Sequence, residues 1–140
     1  MSTDETGGLG WLVSGASGKK LRVIPPLALM GVIFLLSSAE LSIRLPGSSD
    51  KVLHALVFGL LAALWVVALG FGTLRIGLAF LFAASWGILD EVHQAFVPGR
   101  NASWGDLLAD AAGAALFTIG AALLVHWRRG RGLAEAEEET

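Results

Sequence analysis

The 140-residue sequence contains no cysteine and few charged residues. Without cysteine, the chain can have neither a disulfide framework, nor a thiolate metal site, nor a catalytic thiol. Charged residues make up only 16% of the chain, and the net charge of −2 provides no polycation for binding nucleic acid. These residues cluster between long apolar runs instead of recurring at the spacing that the outer face of a soluble helical bundle requires. The composition therefore argues against a water-soluble domain.

Hydrophobic residues make up 54% of the chain, which excludes disorder and is typical of a membrane protein. The apolar stretches predict an all-α fold, a bundle of four transmembrane helices at about residues 21–39, 51–69, 74–93 and 104–125. A cleaved signal peptide is the alternative for the first stretch. We prefer an uncleaved helix, because the stretch is longer than the roughly 7–15 apolar residues of a secretory signal.

The predicted organisation is one membrane domain at residues 21–127 between two tails. The Gly- and Ser-rich segment 1–20 is predicted to be a flexible cytoplasmic tail, and residues 128–140 a basic, then acidic, cytoplasmic tail that is unstructured at 135–139. If both termini are cytoplasmic, that side carries seven Lys and Arg residues and the other side carries three, Arg44, Lys51 and Arg100. This bias favours cytoplasmic termini.

With that orientation, the start of the second helix, the end of the third and the start of the fourth meet on the non-cytoplasmic side. Their polar residues are predicted to converge there: Asp50, Lys51 and His54; Asp90, Glu91, His93 and Gln94; and Asp106 and Asp110, with Arg100 from the preceding loop. His54, Asp90 and Asp110 lie about one turn inside the membrane. A charged side chain there costs on the order of 2.5–3.5 kcal/mol unless it faces a partner or water, which predicts a shared polar pocket.

We expect Arg100 to fold over the acidic residues, because a guanidinium can bind two carboxylates by paired hydrogen bonds. Each residue also has a structural interpretation. Asp50 and Asp106 are suitable as helix caps or first-turn acids, and His54 as a packed interfacial side chain. Taken as a whole, the cluster is either a functional pocket or a polar lock between helices. Two adjacent acids at a helix C-terminus, Asp90 and Glu91, oppose the macrodipole and favour the pocket.

The same residues resemble the VanZ-like family of small bacterial membrane proteins. The resemblance covers about residues 36–117 and rests on Ser37-Ser38, Leu45-Pro46, Asp50-Lys51-x-x-His54 with Phe58, Asp90-Glu91-x-x-Gln94-x-Phe96-x-Pro98-Gly99-Arg100, Ser103, and Asp106-x-x-x-Asp110-x-x-Gly113. At position 110 the family more commonly has asparagine. The resemblance implies a small helical bundle in the bacterial plasma membrane, and a family named for a protein that gives low-level resistance to teicoplanin.

Two functions follow as hypotheses. In the first, an outward-facing pocket binds or modifies a lipid headgroup or a lipid-linked envelope component, with Lys51 and Arg100 binding phosphate or carboxylate and the acids and Gln94 binding amino or hydroxyl groups. In the second, the protein is a membrane-embedded hydrolase or transferase. His54 would be its general base, oriented by Asp90 or Glu91, or a divalent metal would be bound by His54, Asp90, Asp106 and Asp110.

A transporter or proton relay is disfavoured, because the ionisable residues occupy one half of the membrane. The small residues of the fourth helix would allow close contact between helices of two copies, so a homo-oligomer remains an alternative. The partners expected from the sequence are therefore membrane lipids, and no nucleic acid.

Overall fold

The computed structural model describes residues 21–39 and 49–138, which form four α-helices and no strand. The helices are α1 (Ile24–Ser38), α2 (Ser49–Leu69), α3 (Thr73–Gln94) and α4 (Trp104–Glu138). The predicted all-α class is confirmed. The predicted tail at residues 1–20 and the turn at 40–48 lie outside the described residues.

Within the described residues, three segments are long and apolar enough to cross a membrane: α2, α3 and the part of α4 from Trp104 to Arg131. Helix α1 has 15 residues, which corresponds to about 22 Å at 1.5 Å per residue, less than the roughly 30 Å hydrocarbon core. It is shorter than the span predicted at residues 21–39. The four-span arrangement therefore stays a prediction.

The helix ends follow from local backbone chemistry. Pro25 and Pro26 lie in the first turn of α1, where backbone N–H groups have no intrahelical acceptor anyway. Helix α2 ends at Gly70, whose φ of 96° is in the left-handed region that glycine adopts without strain. The Gly70 N–H donates to the Val66 carbonyl at 2.8 Å and so satisfies one of the last carbonyls of α2.

Helix α4 is longer than predicted. The sequence predicts an end near Val125 and an unstructured segment at residues 135–139, but the helix continues to Glu138. The prediction weighed charge and overlooked propensity: the segment contains Ala, Leu, Glu and Arg, which are strong helix formers, and no proline. The predicted end of the membrane domain at residue 127 therefore does not coincide with the end of a helix.

Helix α2 lies at the centre of the bundle and packs most extensively against α4. The contact is close because small residues face each other: a Cβ on Gly113 would overlap the backbone carbonyl of Ala55, and one on Gly59 would meet the Phe117 ring and lie 3.2 Å from the Gly113 carbonyl. Helix α1 packs against α2 and α3. The C-terminal ends of α1 and α3 and the N-terminal ends of α2 and α4 meet at one end of the bundle. We call it the polar end.

Candidate functional site

The polar end contains a histidine–carboxylate contact between α2 and α4. His54 Nδ1 lies 2.9 Å from Asp110 Oδ1. Asp110 is completely buried, and its second oxygen, Oδ2, has no hydrogen-bond partner in the described part of the chain. An ionised carboxylate can only accept, so the ring nitrogen must donate to it. The carboxylate that orients His54 is therefore Asp110, rather than Asp90 or Glu91 as the sequence suggested.

Asp90 joins α1 to α3. It is 5% exposed and accepts hydrogen bonds from the Ser37 hydroxyl at 2.5 Å and from the Gln94 amide at 2.8 Å. Each of its oxygens therefore has a donor. The adverse position of an acid at the C-terminal end of α3 is offset by these two neutral donors and not by a cation.

Glu91 joins α3 to the loop before α4. One carboxylate oxygen, Oε2, accepts the backbone N–H of Ser103 at 2.7 Å, and Ser103 in turn provides the carbonyl that the Asp106 and Leu107 amides bind. The other oxygen, Oε1, is buried and has no hydrogen-bond partner among residues 21–39 and 49–138. Glu91 thus positions the start of α4 with half of its carboxylate and leaves the other half unsatisfied.

Lys51 and Asp106 form the exposed part of the cluster. Lys51 Nζ lies 2.8 Å from Asp106 Oδ1, and about half of the lysine side chain is exposed. Asp50 and Asp106 are both first-turn acids, as one interpretation of the sequence predicted. Lys51 therefore neutralises Asp106 at the exposed rim of the polar end and not one of the buried acids.

Arg100 differs from the sequence expectation. Its Nη2 donates to the Leu36 carbonyl at 2.7 Å, and the described residues contain no ion pair between Arg100 and a carboxylate. The reason is that the last carbonyls of a helix lack intrahelical donors, and the guanidinium satisfies one of them at the end of α1. The Nε atom of Arg100 is buried and has no hydrogen-bond partner in the part of the chain that the structure describes.

A cavity of about 250 Å³ opens at the polar end between α1, α2 and α3. One part of its wall is apolar and the other polar, and Arg100 is the only lysine or arginine among the described residues that line it. The lining residues are Ile33, Leu36, Ser37, Asp50, Leu53, His54, Val57, Phe58, Asp90, Gln94 and Arg100. The wall is thus amphipathic, and it includes five of the nine predicted site residues.

Two groups of side chains are close enough together to bind a metal ion. One comprises Asp50, His54 and Asp106, and the other comprises His54, Glu91 and Asp110. Within each group, one possible ligand atom per residue lies within 4.8 Å of the others. Asp90, which the sequence suggested as a ligand with His54, Asp106 and Asp110, belongs to neither group in the described chain.

Several contributors were missed at the sequence level. Ser37 and Ser38 are the last residues of α1, and no role was predicted for them. The Ser37 hydroxyl donates a hydrogen bond to Asp90. The Ser38 hydroxyl lies 2.9 Å from His93 Nε2. Gly87 was also missed: a Cβ there would lie 3.1 Å from Asp110 Oδ2. Its position one turn before Glu91, on the same face of α3, was the available signal.

Comparison with known protein families finds a match. The family model described as VanZ/LLP1 matches residues 11–125 of this chain. No curated protein and no solved structure matches the chain significantly. The matched region contains all four helix starts and every residue of the polar end that is named above.

Proposed function

Because the chain belongs to the VanZ/LLP1 family and has three helices of membrane-spanning length, we propose that it is an integral protein of the bacterial plasma membrane whose polar end binds the headgroup of a lipid or lipid-linked envelope component. The proposal includes four spans with both termini in the cytoplasm. The polar end then faces outward, at the depth of the outer-leaflet headgroups.

The observation that carries this proposal is the amphipathic cavity. Its apolar wall, which includes Leu36, Leu53 and Phe58, suits an acyl or prenyl chain. Arg100 faces the same cavity, and its buried Nε–H donor has no acceptor in residues 21–39 and 49–138. A phosphate or carboxylate of the headgroup would satisfy that donor, because guanidinium groups bind both anions by directed hydrogen bonds.

Replacing Arg100 with glutamine is expected to reduce retention of anionic lipid at least about tenfold, since a charge-assisted hydrogen bond contributes on the order of 1.5–3 kcal/mol. Protein purified in mild detergent is incubated with a phosphate-bearing lipid, and the bound lipid is counted by native mass spectrometry. A diacylglycerol with the same chains, which has no phosphate, shows how much retention the apolar wall contributes.

Arg75→Gln is the matched control, because Arg75 lies near the N-terminal end of α3, away from the polar end. It should retain lipid like the wild type. Equal retention by the wild type and Arg100→Gln would remove the basis of the proposal.

In a teicoplanin-sensitive host, the family relationship further predicts that expression raises teicoplanin resistance and that Arg100→Gln abolishes the increase.

A second candidate, a hydrolase or transferase acting on a lipid-linked substrate, is favoured by the contact between His54 and Asp110. An imidazole that donates Nδ1–H to a buried carboxylate has its other nitrogen available as a general base. The same incubation distinguishes the two candidates, because an enzyme changes the mass of the added lipid and a binding protein does not.

Labelling with a membrane-impermeant thiol reagent is expected to modify Ala102→Cys in intact cells. Ala102 is exposed in the loop between α3 and α4, which faces outward in the proposed orientation. Thr73→Cys, at the opposite end of α3, is the control and should react only after the cells are permeabilised. The chain has no native cysteine, so each variant has a single thiol. The reverse pattern would mean that the polar end faces the cytoplasm.

A further inference from the structure

The most unusual feature of the polar end is an accumulation of buried negative charge. Asp90, Glu91 and Asp110 are all buried. Lys51 pairs with Asp106 and Arg100 with a backbone carbonyl, so neither cation pairs with these three acids. Asp90 has two neutral donors, whereas Glu91 and Asp110 lie in one group with His54 and share a single basic side chain.

We propose that His54, Glu91 and Asp110 bind a divalent transition-metal ion between α2, α3 and α4. The second observation that points to a ligand is the pair of unsatisfied oxygens: Glu91 Oε1 and Asp110 Oδ2 are buried acceptors that have no hydrogen-bond partner among the described residues. Buried acceptors of this kind are rare in folded proteins and call for an explanation. A cation bound through these two oxygens would satisfy both and would leave the bond from Ser103 to Glu91 Oε2 intact.

The geometry of the group suits such an ion. One possible ligand atom from each of the three residues lies within 4.8 Å of the others. Ligands around a tetrahedral ion with bonds of about 2.0–2.2 Å are about 3.3–3.6 Å apart, so the three side chains would close by at most about 1.5 Å to bind one. One imidazole nitrogen with two carboxylate oxygens is a donor set for Zn²⁺ or Mn²⁺.

The half-exposed group of Asp50, His54 and Asp106 is the competing site. The buried group is preferred because Lys51 Nζ lies 2.8 Å from Asp106 Oδ1. An ion bound to Asp106 would face that ammonium group at short range. Glu91 and Asp110, in contrast, have no lysine or arginine partner among the ion pairs of the described chain.

The test uses the full chain, purified with a tag that contains no histidine, treated with a chelator and then equilibrated with Zn²⁺ or Mn²⁺. After removal of free metal, the wild type should retain about one ion per chain, and metal should raise its thermal midpoint, because binding to the folded state alone stabilises it. Glu91→Gln and Asp110→Asn keep the shape of each side chain. Each should weaken binding more than about tenfold and lose the rise in midpoint.

Asp106→Asn is the matched control and should bind metal like the wild type. Loss of binding in Asp106→Asn, with retention in Glu91→Gln, would move the site to the exposed group and overturn the proposal, as would absence of retained metal in a wild-type sample with a sharp unfolding transition. The inference does not rest on headgroup binding. Arg100→Gln should bind metal normally, so the two proposals fail independently.

Discussion

Gly113→Ala is expected to destabilise the bundle by about 3 kcal/mol, at the upper end of the range for overpacked cores. The added Cβ would overlap the Ala55 carbonyl, which is backbone and cannot rotate away. Helices α2 and α4 would have to separate, and the contact between His54 and Asp110 would lengthen with them. Thermal unfolding in detergent, followed by circular dichroism, should show a midpoint lowered by about 10 °C.

Gly120→Ala is the matched control, since it is the same substitution seven residues along α4. A Cβ at Gly120 meets nothing within 4 Å. Its midpoint should be unchanged or slightly higher, because alanine is about 0.5–1 kcal/mol better than glycine inside a helix. Equal midpoints for the two variants would mean that α2 and α4 are not in close contact.

His54→Ala should have the second large effect, a loss of about 3–5 kcal/mol, because it leaves the charge of Asp110 buried without a partner. Asp110 is completely buried, and His54 provides the one hydrogen bond its side chain receives among the described contacts. The free energy of unfolding should be measured on chelator-treated protein in a denaturing detergent, so that bound metal does not contribute.

The double variant His54→Ala/Asp110→Asn separates this explanation from simple loss of packing. Asparagine keeps the shape of the side chain and removes the charge, so much of the stability should return. Lys51→Ala is the control for an ion pair at the rim, and it should change stability little because half of that side chain is already in solvent. Additive effects of the two substitutions would exclude a buried charge as the cause.

The membrane-type helices and their order could be predicted from the sequence because their signals are local. Gly70 and the apolar runs of α2 and α3 act through backbone conformation and burial within one segment. The end of α4 was mistaken because charge was weighed and helix propensity was not. The shortness of α1 was missed because apolar residues before Ile24 extended the run without extending the helix.

The convergence of acids from three helices was also predictable, since up-and-down helices place alternate ends on the same side. The hydrogen-bond partner of each acid could not be predicted. Asp90, Glu91 and Asp110 have the same chemical group, and nothing in their spacing tells which one His54 contacts. Ser37 and the backbone of Ser103 reach Asp90 and Glu91 from distant parts of the chain.

Composition and periodicity were thus enough to establish an all-helical, membrane-type chain with its ionisable groups gathered at one end, because hydrophobicity and helical repeat are properties of consecutive residues. The choice of partner for each acid, the turn of Arg100 towards α1 and the unsatisfied oxygens of Glu91 and Asp110 depend on how the helices approach one another. Among α2, α3 and α4 that approach is made possible by the absence of side chains at Gly59, Gly87 and Gly113. Their effect exists only when another helix lies against them.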